Sequence, residues 1–448
     1  MSEKLSQPHK LSWQELGEYR QDQAGKIREL TARFGRVVPV TMVGIPLYLI
    51  SEPEIIRELL VRHPDELHKD RFTAHVFRRM LGDGLLTAED AKWSRQRKLI
   101  QPIFHAGHIQ DFADTFTALA GEMCERWPVG ATLQLEKEMM ALTLSIICRT
   151  MFSEEIAGQI EQIEKHLEVI VAEAQKQLDF GLRIPSWLPL PTYRRQNKAI
   201  AGISDLLRQI IQKRQAQLAQ GREVPADLLT MLLTARYEDG QPMAEEQVLH
   251  ECLTIFFAGH ETTAVSLTWC WTLLLQHPAI LARLTAEVSG VLGDRPVRYD
   301  DLAQLPYLSQ VIKETLRLYP PAAAIAREVM QPFEAGGFQF KAKETLIVSI
   351  DTLHHQADFF PEPDQFNPDR FGPEQAQPGR YTYMPFGAGS RICVGNAFAT
   401  LEMQMVLATM VQQLQLALLP GQQFGPAQLI TLKPQDGVQI KVESKRLA

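Results

Sequence analysis

The sequence predicts a mainly α-helical protein with small β-sheets, folded as a single large domain over residues 1–448. Six long segments keep the roughly 3.6-residue apolar period of helices: Leu135 to Met151, Glu155 to Asp179, Tyr193 to Gln220, Ala244 to Gln276, Pro278 to Leu292 and Leu308 to Leu318. Strand-like alternation is confined to a few short runs. No Gly/Ser linker, long charge run or internal repeat divides the chain, so one unit is simpler than the division that length alone would suggest.

Taken in order, the polar start from Met1 to Gly35 has no apolar stretch of the kind that makes a secretory signal or a membrane anchor. Val37 to Ser51 alternates like two strands turning around Gly44-Ile45-Pro46. Ser51-Glu52-Pro53-Glu54 and Thr87-Ala88-Glu89-Asp90 have capping-box spacing, in which side chains at the two ends bond each other's backbone N–H, so each should open a helix. Between the helical patterns ending at Asp179 and starting at Tyr193, the run Leu182 to Pro191 holds three prolines in an apolar setting. It reads equally as a packed connection or as a lid or membrane-touching lip. The most apolar stretch, Ala264 to Leu275, is shorter than the roughly 18 to 20 residues needed to cross a bilayer. Further strands are expected near Glu344 to Ser349 and Leu429 to Val442.

Composition narrows the function. A 45% hydrophobic, 22% charged chain is globular, and a net charge of -7 gives no global attraction to phosphate, so nucleic acid is not an expected partner. Five widely spaced cysteines without a Cys-x-x-Cys pair signal neither a disulfide framework nor a zinc site. The expectation is a soluble, cytoplasmic protein without a membrane anchor.

Chemistry concentrates in Phe386-Gly387-Ala388-Gly389-Ser390-Arg391-Ile392-Cys393-Val394-Gly395, which precedes a helical pattern from Asn396. Glycines let backbone approach a flat ligand, and free N–H groups at a helix start favour a thiolate, so Cys393 is a candidate soft metal ligand. A lone cysteine is ordinarily a small buried hydrophobe, the reading kept for the other four. Glu314 and Arg317 share one helix face and can form a forked ion pair. Ala258 and Thr262 also share a face, and the Thr262 hydroxyl can bond back toward residue 258, opening a distortion where a small molecule could sit. Trp93 and Arg97 share an inward face and leave Lys92, Arg95 and Lys98 outward, as a basic patch suited to an acidic partner.

The run from Phe386 to Gly395 resembles the complete heme-binding signature of the cytochrome P-450 superfamily of heme-thiolate monooxygenases, in its soluble prokaryotic form. Lys313-Glu314-Thr315-Leu316-Arg317 resembles that family's Glu-x-x-Arg motif, and Phe366-Asn367-Pro368-Asp369-Arg370-Phe371 its downstream segment. Ala258-Gly259-His260-Glu261-Thr262-Thr263 resembles its oxygen-activation motif, and Trp93 with Arg97 its Trp-x-x-x-Arg heme contact. The motifs stand in the family's order, and the resemblance covers almost the whole chain. One departure is His354-His355-Gln356-Ala357-Asp358, where many members have His-Arg-Asp; it puts local contacts in question, not the fold.

The resemblance implies heme b (iron protoporphyrin IX) between the long central helix and the Cys-loop helix, with Cys393 on the iron. Trp93, Arg97, Ala258, Arg327, Phe386, Gly387, Arg391 and Gly395 would contact the cofactor. Glu261 and Thr262 would be the acid–alcohol pair of a proton relay, and Glu314, Arg317 and Arg370 a structural triad behind the heme. Substrate lining placed by resemblance includes Phe256, Phe257, Ala323, Ala324, Ile325 and Leu429, an apolar set suited to a hydrophobic small molecule such as a fatty acid, terpenoid or polyketide. Insertion of one atom of O2 would draw electrons from a ferredoxin or flavodoxin with its NAD(P)H-dependent reductase. A peroxide-dependent heme peroxygenase and a non-catalytic heme sensor or carrier are the alternatives, and the intact Glu261-Thr262 pair argues against both.

Overall fold

Helices form where the apolar period runs: Leu135–Met151 and Pro278–Leu292 keep the expected limits, and Ile160–Phe180, Pro191–Ala219, Glu245–Gln276 and Pro306–Leu318 shift only at their ends. The computed structural model describes residues 7–155, 158–180, 190–428 and 430–446. Leu429 and residues 182–189 of the proline-rich run lie outside them. Among the described residues no helix is long and apolar enough to cross a membrane.

The 32-residue helix Glu245–Gln276 is apolar nearly all round, as suits a helix in the middle of a core. Trp269 and Trp271 are fully buried on it. Trp269 stacks on Tyr319 at 3.7 Å and donates its indole N–H to the Leu432 carbonyl at 2.8 Å. Hydroxyls along this helix are satisfied by back-bonding to the carbonyl four residues earlier, among them the buried Thr254, Thr263, Ser266, Thr268 and Thr272 and the partly exposed Thr262. The helix Asn396–Gln413, which follows the cysteine loop, packs beside it.

Six strands make the main sheet, in the order His9–Lys10, Val37–Met42, Ile45–Ile50, Thr345–Ser349, Ala324–Val329, Leu67–Lys69. The hairpin turns at Val43-Gly44, one residue earlier than expected, with positive φ at both positions. A three-stranded sheet joins Leu414–Leu418, Gln439–Lys445 and Thr132–Gln134, and the expected late strand is split into Leu432–Pro434 and Gln439–Lys445.

Both capping boxes are absent. Glu52 and Glu89, not Ser51 and Thr87, precede their helices, and neither makes a side-chain cap. Thr87 donates instead to the Gly82 carbonyl at 2.7 Å, and Glu89 accepts the Lys69 N–H at 2.9 Å and bonds Arg391. A backward bond within the loop for Thr87 and tertiary partners for Glu89 outcompete the cap.

Candidate active site

The Cys393 loop is shaped by its glycines. At Gly389, with φ +73°, an added Cβ would stand 2.3 Å from the Leu60 carbonyl oxygen, so the loop can lie against Leu60 only with glycine there. The Cys393 N–H donates to the Phe386 carbonyl at 3.0 Å, closing the loop on itself. The following helix begins at Asn396, so Cys393 stands just ahead of it. Its side chain is accessible although protein surrounds it densely. The other four cysteines are buried, and burial pushes Cys124, Cys148 and Cys270 up to about 12. Burial also raises Cys393, but the Gly395 N–H and the Arg97 guanidinium pull it toward thiolate. A coordinated metal ion would supply the remaining charge compensation.

Cations gather on one side of this loop. Lys69 Nζ and Arg391 both donate to the Ala88 carbonyl, at 2.8 and 3.1 Å, and Arg391 lies 4.3 Å over the Trp93 ring. Burial and the neighbouring charge of Arg391 push Lys69 down to about 7 and Arg327 down to about 10. Glu89 is the carboxylate bonded into this group, with Asp70 and Asp90 acting on Arg327 and Arg391 from farther off, so the three bases outnumber the one acid bonded among them. That surplus suits the two propionates of a heme, and with an accessible thiol it makes the donor set fit the group. Lys69 was not singled out in the sequence; it ends the short strand Leu67–Lys69, whose residues show no alternation that would mark it. Arg97 donates to the Ile392 carbonyl at 2.8 Å and to Gln101 at 3.2 Å.

On the central helix Ala258 is exposed, and Thr262 Oγ1 donates to its carbonyl at 2.9 Å. The helix stays regular through this turn; the expected distortion is absent, because the same back-bond recurs along the helix without breaking it. Glu261 accepts the Thr431 hydroxyl at 2.8 Å, a partner the sequence did not suggest. Burial pushes Glu261 above the usual carboxylate range, against the opposing pull of Thr431 and Lys433. Lys433 in turn bonds Glu136 at 3.0 Å.

Several lining residues are relocated. Phe256 (0% exposed) packs into the core beside Phe152 and His260, and Phe257 (7%) packs edge-on against Phe256, because on a helix they point away from the Ala258–Thr262 stripe. Ala323 and Ala324 face the helix Gln23–Phe34 through a small gap beside Ala24 and Ile27. Strand alternation turns Ile325 and Arg327 the other way, and Ile325 lies 3.4 Å from where a Gly387 Cβ would stand. The outward basic patch is also corrected. Lys92, Arg95 and Lys98 bond Asp83, Asp239 and Glu238 at 2.6, 3.0 and 2.9 Å, and the last two partners come from a turn far along the chain.

Behind the loop, Arg317 forks onto Glu314 at 2.7 and 2.8 Å with both side chains fully buried, and Arg370 reaches Glu314 at 3.2 Å. Arg317 also donates to the His354 carbonyl at 2.9 Å. Burial, His355 and Arg317 drive His354 down to about 3, so its neutral ring links the Arg317 carbonyl (3.1 Å) to the Met384 N–H (3.0 Å). The unusual His354-His355 pair therefore keeps a working connection from the triad to the start of the cysteine loop.

Residues 5–442 match the family model described as cytochrome P-450. Cyclooctatin synthase of Streptomyces melanosporofaciens is 33% identical over 89% of this chain and 86% of its own length. Cyclooctat-9-en-7-ol 5-monooxygenase of the same organism is 32% identical over 86% of this chain and 84% of its own. The 11-oxo-beta-amyrin 30-oxidase of Glycyrrhiza uralensis is 31% identical over 88% and 78%. With an accessible cysteine in its signature loop and a relative above 30% identity along most of its length, the chain belongs to the cytochrome P-450 family and is a heme-thiolate monooxygenase.

Proposed function

We propose that the protein binds heme b through Cys393 and hydroxylates or epoxidises a hydrophobic organic substrate lying over the Ala258–Thr262 turn. A ferredoxin or flavodoxin with its NAD(P)H-dependent reductase delivers the electrons. The observation that carries this reading is the accessible Cys393 thiol beside the surplus charge of Lys69, Arg327 and Arg391. When bound, heme supplies the activation of O2, one atom going to the substrate and the other leaving as water as a pair of electrons and a pair of protons is consumed.

The chain's own residues supply placement and protons. Lys69, Arg327, Arg391 and the Trp93 indole N–H would hold the propionates, while Arg97, beside Cys393, would offset the thiolate charge. Phe386, Gly387 and Gly395 shape the face of the loop that meets the ring. Glu314, Arg317 and Arg370 keep that loop rigid from behind. Thr262 holds a proton at Oγ1 and can turn it from the Ala258 carbonyl into the cleft. Glu261, with its raised affinity for protons, reloads it, and Thr431 and Lys433 mark the way out toward solvent. Apolar surface at Ala258, Ile325 and Leu86 suits a hydrophobic substrate, as do relatives named for acting on cyclooctat-9-en-7-ol and 11-oxo-beta-amyrin. Free thiols throughout suit a reducing, cytoplasmic setting.

The test is the spectrum of the reduced holoprotein under carbon monoxide. A strongly red-shifted Soret band that is lost in Cys393→Ser supports thiolate ligation. A heme-replete wild type without that band would sink the assignment.

A further inference from the structure

Glu251 lies on the central helix seven residues before Ala258, hence on nearly the same stripe and about 10 Å away along the axis. It is fully buried. Its carboxylate accepts the Leu85 backbone N–H at 2.8 Å and the Gln247 side-chain amide at 2.7 Å. Gln247 also donates to the Asp83 carbonyl at 3.0 Å, which Gln96 reaches from the helix Asp90–Ile100 at 3.2 Å. The segment is pressed flat here: a Cβ at Gly82 would meet the His250 ring at 1.9 Å, and one at Gly84 would meet Thr254 Oγ1 at 2.3 Å. Its other end, Ala88-Glu89, is held by Lys69 and Arg391. Residues 82–89 thus form a strap tied at one end to the central helix and at the other to the cations beside the cysteine loop. Leu86, 41% exposed, is the large apolar side chain this strap presents.

A buried carboxylate is a costly way to hold one loop N–H, and the proposed reaction makes no use of it. We propose that Glu251 is a positioning residue for substrate: by fixing the strap against the helix it sets where Leu86 stands relative to the Ala258–Thr262 turn, and so which hydrophobic ligands the site accepts. The inference rests on the monooxygenase site proposed above.

Burial pushes Glu251 up to about 7, with the Leu85 N–H and Gln247 opposing. The ionisable groups facing it are Lys92 on the neighbouring helix, Asp83 in the strap, Tyr237 in a nearby turn and Cys252 on its own helix. His250, one residue away, faces Asp83, Lys92, Glu246 and Arg208. The strap-down state binds the proton more tightly than a lifted state in which Glu251 meets water. Raising pH through about 7 therefore weakens the strap, and lowering it holds the strap down.

The test uses the holoprotein. Hydrogen exchange of the 82–89 amides, corrected for its intrinsic pH dependence, should accelerate at least about tenfold from about pH 6 to about pH 8. Glu251→Gln, which keeps an acceptor for Leu85 but cannot ionise, should abolish that dependence. The affinity for 4-phenylpyridine, read from its Soret shift, should change by at least about threefold in Glu251→Ala and return toward wild type in Glu251→Gln. Equal exchange at both pH values in wild type, or equal phenylpyridine affinity in wild type and Glu251→Ala, overturns the proposal. The carbon monoxide band, read on the same samples, reports separately on thiolate ligation.

Discussion

Glu402, fully buried on the helix after the cysteine loop, has neither carboxylate oxygen in a well-formed hydrogen bond, and burial holds it well above the usual carboxylate range despite the nearby Thr263 hydroxyl. Burial therefore favours its neutral form in the folded protein. Between the ordinary carboxylate value and its raised one, the folded chain keeps a proton that the unfolded chain has released, so stability falls as pH rises through that window. Glu402→Gln, nearly isosteric and unable to ionise, should flatten this slope and raise the melting midpoint at about pH 8 by at least about 2 °C, with little change near pH 4. Midpoints of the two proteins across pH check it. Thr262 calls for a different measurement, because its hydroxyl touches only the Ala258 carbonyl and its removal should spare folding. Thr262→Ala should divert electrons to peroxide and lower product per NAD(P)H consumed by about tenfold or more. Coupled turnover at the wild-type level in that variant would mean the relay runs elsewhere.

Elements carry the cysteine loop to its place, and the Glu314 network is where that support can be measured. Removing the carboxylate in Glu314→Ala leaves Arg317 buried without its ion pair and also frees the Asn367 N–H, which Glu314 accepts at 2.9 Å. Breaking such a buried pair costs about 3–5 kcal/mol, so the variant should fold poorly, incorporate less heme and melt well below wild type. Arg370→Ala, which leaves Glu314 its bonds from Arg317 and the Asn367 N–H, should cost less; the ratio of heme to protein after purification separates the two. Elements were also what the sequence revealed best. Apolar period located the long helices to within a few residues, because a helix in a core must keep its apolar face over many turns. The expected caps are absent because Ser51 and Glu89 have tertiary partners that local spacing cannot display, while Thr87 turns its hydroxyl back to the Gly82 and Gly84 carbonyls of its own loop. Phe256, Phe257, Ala323 and Ala324 were placed on the lining by resemblance of segments, whereas helix angle and strand alternation decide which side chain in a segment faces the cleft.

Across the whole molecule, the least legible property was the charge on the face that carries the helix Asp90–Ile100. Along the chain Lys92, Arg95 and Lys98 read as a cationic stripe, but folding brings Glu238 and Asp239 onto Arg95 and Lys98, and Tyr237 under Arg95 at 4.0 Å. These pairs are at least half exposed, so each contributes roughly 0–1 kcal/mol and their loss should leave the fold intact. Their larger effect is on long-range attraction, since each neutralises a cation that an acidic redox protein would otherwise feel, on a molecule already at a net charge of -7. The double variant Glu238→Gln with Asp239→Asn should therefore speed second-order reduction by an acidic ferredoxin a few-fold at low salt. That gain should vanish near 0.5 M salt, where the Debye length falls to roughly 4 Å. Stopped-flow reduction over a salt series decides it: a rate unchanged at every ionic strength would mean that electrons arrive over another face, and would turn attention to the exposed surface around Val61 and Arg380 beside Gly389 and Ser390.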